Sequence, residues 1–186
     1  MRKKSGKNKH DPEKISFKYI AAAPKGKTTE MRKGGRYIVS PFKIIINDGN
    51  YYLLAFDDKK AATRTFRVDR MKEIKALGTP RESMDELFSI DEAAYVKQHF
   101  GMYSGKVERV ELRFINKLLD TVYDKLGRDN LYYTQVDDRH FSIQVEVAIT
   151  DQFFGWLCGF GKQVKIISPP VQEKFKEYLD KIRNMY

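Results

Sequence analysis

The strongest constraint on the fold is the tetrapeptide Asn47-Asp48-Gly49-Asn50, set between the apolar runs YIVSPFKIII and YYLLAF. Asn, Asp and Gly tolerate positive φ, so the tetrapeptide predicts a tight hairpin joining two antiparallel strands. Residues 14–21 alternate apolar and polar side chains and predict a strand before it. Thr63–Val68 and Lys72–Leu77 predict two more, after a charged turn at Asp57–Ala62. Pro24–Gly35, rich in Gly, Lys and Thr, reads as a loop. Pro41 has no N–H to give a ladder, so an edge, a bulge or a bend is expected there. Five short strands with tight turns in so few residues point to a small, strongly bent barrel.

The pattern changes further on. Residues 79–106 read as a helical connector, with Ser89 and Glu92 forming a capping box. From Val107 the chain alternates as a strand, then repeats apolar residues at helical spacing through Leu118, Leu119, Val122, Tyr123 and Leu126. Strands at Leu131–Val136 and Phe141–Thr150 follow, then an aromatic helix from Asp151 and a short strand at Val164–Ile167. The last helix has Ser168 as its expected N-cap, Pro169 at its first position, and Val171, Phe175, Tyr178, Leu179 and Ile182 as its buried stripe. The order β-α-β-β-α-β-α is a ferredoxin-like split unit with an extra C-terminal helix. The fold class expected is therefore α+β. It comprises a basic leader or linker at 1–13, a barrel at 14–78, the connector at 79–106 and a ferredoxin-like domain at 107–186.

Charge is unevenly placed. Residues 1–36 hold 12 Lys/Arg against 3 Asp/Glu, a surplus of nine, whereas residues 37–186 hold 23 against 22. The basic start reads as a leader or linker, with a non-specific nucleic-acid-binding arm as the sharper alternative. The body is nearly neutral, so any anion site in it must be local. The longest apolar candidate, Phe153–Phe160, is too short to cross a bilayer. The single cysteine, Cys158, excludes an internal disulfide, fits a reducing cytoplasm and reads as a packing residue.

Catalytic patterns are missing. His10, His99 and His140 have no sequence neighbour resembling a nucleophile–base pair, and neither CxxC nor HExxH spacing occurs, so no enzyme activity, metal or cofactor is expected. What remains is Arg64, Arg67 and Arg70 within seven residues. Guanidinium forks hold phosphate bidentately. A regular strand, however, puts Arg64 and Phe66 on one face and Thr65 and Arg67 on the other. The plain alternative is that Asp69 pairs with an arginine to pin the corner while the others are solvated.

Tyr51-Tyr52-Leu53, with ISFKY, YIVSPF and RTFRVDRM around it, resembles the Trp-Tyr-Leu signature of WYL-domain proteins. Tyr51 stands where that family has Trp. The second half, ending in WLCGFGKQVKIISPP, is similar to the extension that commonly follows WYL domains. The resemblance covers about residues 14–185. It implies an Sm-like, SH3-type barrel in a bacterial, cytoplasmic transcriptional regulator that senses a nucleotide-like or single-stranded nucleic-acid ligand. DNA would be bound through a helix-turn-helix that does not precede Ile15 here, so the chain is expected to be a fragment or a stand-alone module. Carried over, the family's polar cluster falls on Ser40, Tyr52, Arg64, Arg67 and Arg70, with Tyr51 and Leu53 as barrel core. A homodimer is expected, with the second half serving as dimer contact or lid. The alternative is a protein-interaction or dimerisation module with structural arginines and no small ligand.

Overall fold

The computed structural model describes residues 12–82, 90–129 and 131–186. The leader, its possible nucleic-acid arm and Ser89 of the expected capping box lie outside them. The chain divides into two compact units, Met1–Ile90 and Asp91–Tyr186.

The first unit is a curled antiparallel half-barrel. Its strands are β1 (Glu13–Ala23), β2 (Lys27–Glu30), β3 (Tyr37–Asn47), β4 (Asn50–Asp57), β5 (Ala62–Arg67) and β6 (Met71–Pro80), with a 3-10 turn at Val68–Arg70 between the last two. They pair in the order β2-β1-β3-β4-β5, and β6 pairs with β1. Ile15 of β1 lies opposite both Val39 of β3 and Ala76 of β6, so β1 is flanked on both edges.

The hairpin forms where the sequence demands it. Asp48 and Gly49 take φ of 47° and 72°, the two left-handed residues of a tight two-residue turn. Pro41 sits at a bulge: the register runs from Pro41–Ala55 to Lys43–Leu54, leaving Phe42 extra. The expected loop 24–35 is a correction. It contains β2, which KTTE conceals because it has no apolar alternation to mark it. Lys25 and Gly26, with φ of 61° and 69°, turn β2 back onto β1.

The inner face of this sheet holds Phe17, Tyr37, Val39, Leu53, Ala55, Phe66 and Met71. Phe17, Tyr37 and Phe66 form a mutual aromatic contact, with centroids 5.2 to 5.5 Å apart. Leu53 is core as expected, but Tyr51 is 58% exposed. It pairs with Ile46 beside the hairpin tip, where the strands extend past the core.

The second unit opens with helix α1 (Glu92–Gln98), N-capped by Asp91, whose Oδ1 accepts from the amides of Ala93 and Ala94. It continues through β7 (Val107–Ile115), α2 (Leu119–Leu126), β8 (Leu131–Gln135), β9 (His140–Ala148), α3 (Asp151–Cys158), β10 (Val164–Ile166) and α4 (Pro169–Arg183). All pairings are antiparallel in the order β10-β7-β9-β8, the ferredoxin-like arrangement. Val110, Leu112, Phe114, Phe141, Ile143, Val145 and Val147 of the sheet pack with Val122, Leu126, Phe153, Leu157 and Val171 of the helices. The opposite sheet face is polar.

Three local expectations change. Ser168 precedes α4, but its Oγ accepts from the Glu111 amide at 2.8 Å, tying the helix to β7 instead of capping it. Leu179 and Ile182 are 40% and 38% exposed, so the buried stripe of α4 ends near Tyr178. Cys158 is exposed at the end of α3. Among the described residues, no helix is long and apolar enough to cross a membrane.

Two outcomes follow. Phe66→Ala removes the ring at the centre of the aromatic contact, and urea denaturation should register a loss of about 3–5 kcal/mol. Burial lifts the Tyr95 hydroxyl to about 12. The folded state thus favours the neutral phenol, so its stabilising contribution is whole below about pH 10 and is lost as pH rises through about 12. An absorbance titration at alkaline pH should show this tyrosine ionising last, together with unfolding.

Candidate functional site

Asp57 ends β4 with its side chain fully buried, and both carboxylate oxygens are engaged. Oδ2 accepts from Arg32 Nη2 and from Arg64 Nη1, each at 3.0 Å, and Oδ1 accepts from the Lys59 amide at 3.1 Å. The Arg32 guanidinium lies 3.7 Å from the centroid of Tyr37. That of Arg64 lies 5.3 Å from the centroid of Phe66. A buried carboxylate needs this compensation, because an unpaired charge away from water is strongly disfavoured. Arg64 is thereby held over the aromatic core on the inner face.

Arg67 is on the other face. β5 pairs with β4 without a bulge, Ala55 opposite Arg64 and Tyr52 opposite Arg67. No irregularity brings the two arginines together. Two anchors fix Arg67: its amide donates to the Tyr19 hydroxyl at 2.9 Å, and its guanidinium donates through Nε and Nη2 to the two oxygens of Asp69, at 3.1 and 2.9 Å. The Arg67 fork holds the Asp69 carboxyl below the usual carboxylate range, and the Asp69 side chain is 62% exposed. The plain expectation that Asp69 pins the corner is therefore met at Arg67. Arg70 closes the 3-10 turn, partly exposed, and has no hydrogen bond or ion pair among the described residues.

Ser40 shares the face of Tyr52 and Arg67, opposite Phe56, with the Leu54 row between them. It is fully buried, and its Oγ accepts from the Glu82 amide at 2.9 Å. Of the five residues named from sequence, the structure thus places Tyr52 and Arg67 side by side and Arg70 in the next turn. Ser40 and Arg64 are engaged elsewhere. Sequence reading missed Tyr19, Arg32 and Asp57. Asp57 looked like a turn residue, and nothing in the sequence joins it to Arg32, 25 positions away.

Residues 10–76 match the family described as the WYL domain. Among solved structures, proteasome accessory factor B/C (PafBC) of Arthrobacter aurescens is similar, at 21% identity and a TM-score of 0.36, over 86% of this chain and 23% of that one. A CRISPR Cas-related protein is similar at 15% identity and a TM-score of 0.48, over 94% of this chain and 48% of that one. The chain thus spans less than half the length of either. No curated protein matches.

The two carboxylates should respond differently to loss of charge. Asp57→Asn should cost about 2–3 kcal/mol in urea denaturation, because Arg32 and Arg64 lose their shared buried partner. Asp69→Asn should change stability by less than about 0.5 kcal/mol, since the pair is exposed.

Proposed function

We propose that the chain is the ligand-sensing region of a bacterial, cytoplasmic transcriptional regulator, and that its barrel binds a nucleotide-like or single-stranded nucleic-acid ligand. The observation that carries this reading is Arg67. Its guanidinium fork is presented beside Tyr52 and is occupied by an exposed carboxylate, Asp69, in the bidentate geometry a phosphate would take. An exposed pair of this kind is worth at most about 1 kcal/mol, so a phosphate can replace Asp69 at little expense. Arg70 adds a second cation, and Tyr52 offers a ring or a hydroxyl. Arg64 supports the rim from inside the barrel rather than meeting the ligand. DNA binding belongs to a helix-turn-helix domain outside this chain, and the regulator works as a homodimer. No step of catalysis is assigned to any residue.

Titration of a fluorescein-labelled single strand and of cyclic nucleotides tests the reading. Arg67→Ala/Arg70→Ala should weaken binding at least tenfold and flatten its salt dependence. Arg64→Ala should lower stability yet change affinity by less than about threefold. Unchanged binding in the double variant would sink the assignment.

A further inference from the structure

The polar face of the second unit's sheet carries a constellation that the WYL domain does not explain. Across the strands the register aligns Lys165, Arg113, Ser142 and Thr134 in one row, all of them hydrogen-bond donors. The next row holds Glu111, Gln144 and Tyr132. Tyr132 is 70% exposed, and the Arg109 guanidinium lies 5.9 Å from its ring centroid. Arg109 also reaches Glu146 at 3.7 Å, a loose contact with both side chains more than half exposed.

Two observations point to a ligand. A cleft of about 320 Å³ opens at this edge of the sheet, lined by Gln98, Arg109, Asp129, Tyr132, Gln144 and Glu146, among others. And the Nε of Arg113, central in the donor row, is buried without a hydrogen-bond partner among the described residues. Buried donors are almost always satisfied, so this orphan, one row along the strands from Gln144 of the cleft, marks a place for an acceptor.

We propose that this face binds a nucleotide, either free or as one unit of a single strand, with the base in the cleft and the phosphate on Arg113 and Lys165. Tyr132 supplies the stacking surface. The donor row lies about 7 Å along the strands from the Gln144–Tyr132 row, on the scale that separates a base from its phosphate. The carboxylates of Glu146 and Asp129 accept only and suit exocyclic amino groups, while the amides of Gln98 and Gln144 can accept or donate. Adenine and cytosine should therefore be preferred over thymine. Every residue of this site belongs to the second unit, so the proposal stands whether or not the barrel rim binds a ligand.

The test is made on the full chain carrying Arg67→Ala/Arg70→Ala, so that the rim cannot contribute. Fluorescence anisotropy with labelled dA12, dC12 and dT12, and competition by AMP and CMP, distinguish a single strand from a free nucleotide. Either source supports the proposal when dA12 or dC12 binds at least threefold tighter than dT12, or AMP or CMP competes. Tyr132→Ala should then weaken binding about tenfold, and Lys165→Gln a few-fold. Both positions are exposed, so circular dichroism should be unchanged. Photo-crosslinking should mark the peptide containing Tyr132. Absence of binding by all probes, equal affinity for the three strands without nucleotide competition, or an unaltered affinity in Tyr132→Ala overturns the proposal.

Discussion

The buried carboxylate of Asp57 is the constraint on which the barrel's chemistry depends. Once a charge is sealed at the end of β4, it must be matched, and Arg32, Arg64 and the Lys59 amide match it. That requirement draws the otherwise structureless stretch around Arg32 over Tyr37, and it withdraws Arg64 from the solvent-facing set. The turn after β5 has no such buried demand. Its arginines therefore remain at the rim, Arg67 against an exposed carboxylate and Arg70 without a described partner.

The same logic separates supporting from presenting residues elsewhere in the first unit. The Tyr19 hydroxyl accepts the amide of Arg67, so the end of β5 is fastened to β1 just before the chain enters its 3-10 turn. Burial lifts the pKa of that phenol, keeping it neutral. The Arg67 backbone is thus fixed, while its side chain is held by an exposed pair. Ser40, fully buried and accepting from the Glu82 amide, has the reverse character.

In the second unit the division is between faces of one sheet. Even-numbered residues of β7 pack under the helices, and odd-numbered ones lie on the polar face. A core built on one side leaves the other free to carry Arg109, Arg113 and Tyr132 without loss of packing. Polar groups there face away from the core, and among them the buried Nε of Arg113 has no hydrogen-bond partner among the described residues.

Much of this was legible in the sequence. Turn residues with positive φ placed the hairpin at Asp48-Gly49, Pro41 marked the bulge, and period-2 and helical spacing set the element order of the second unit. Strand parity alone separated Arg64 from Arg67. Local rules act over a few residues, and these features are local. What only the tertiary structure decided were the partners across long separations: Arg32 and Arg64 on Asp57, Tyr19 on Arg67, Ser40 on Glu82, Ser168 on Glu111. It also decided how far each apolar stripe stays covered, exposing Tyr51, Leu179 and Ile182. Burial and pairing depend on what the fold brings close, and one sequence read in order carries little of that. Arg64 shows the difference: its face was fixed by the alternation of a strand, but its role was fixed by a carboxylate seven residues away that folding had removed from water.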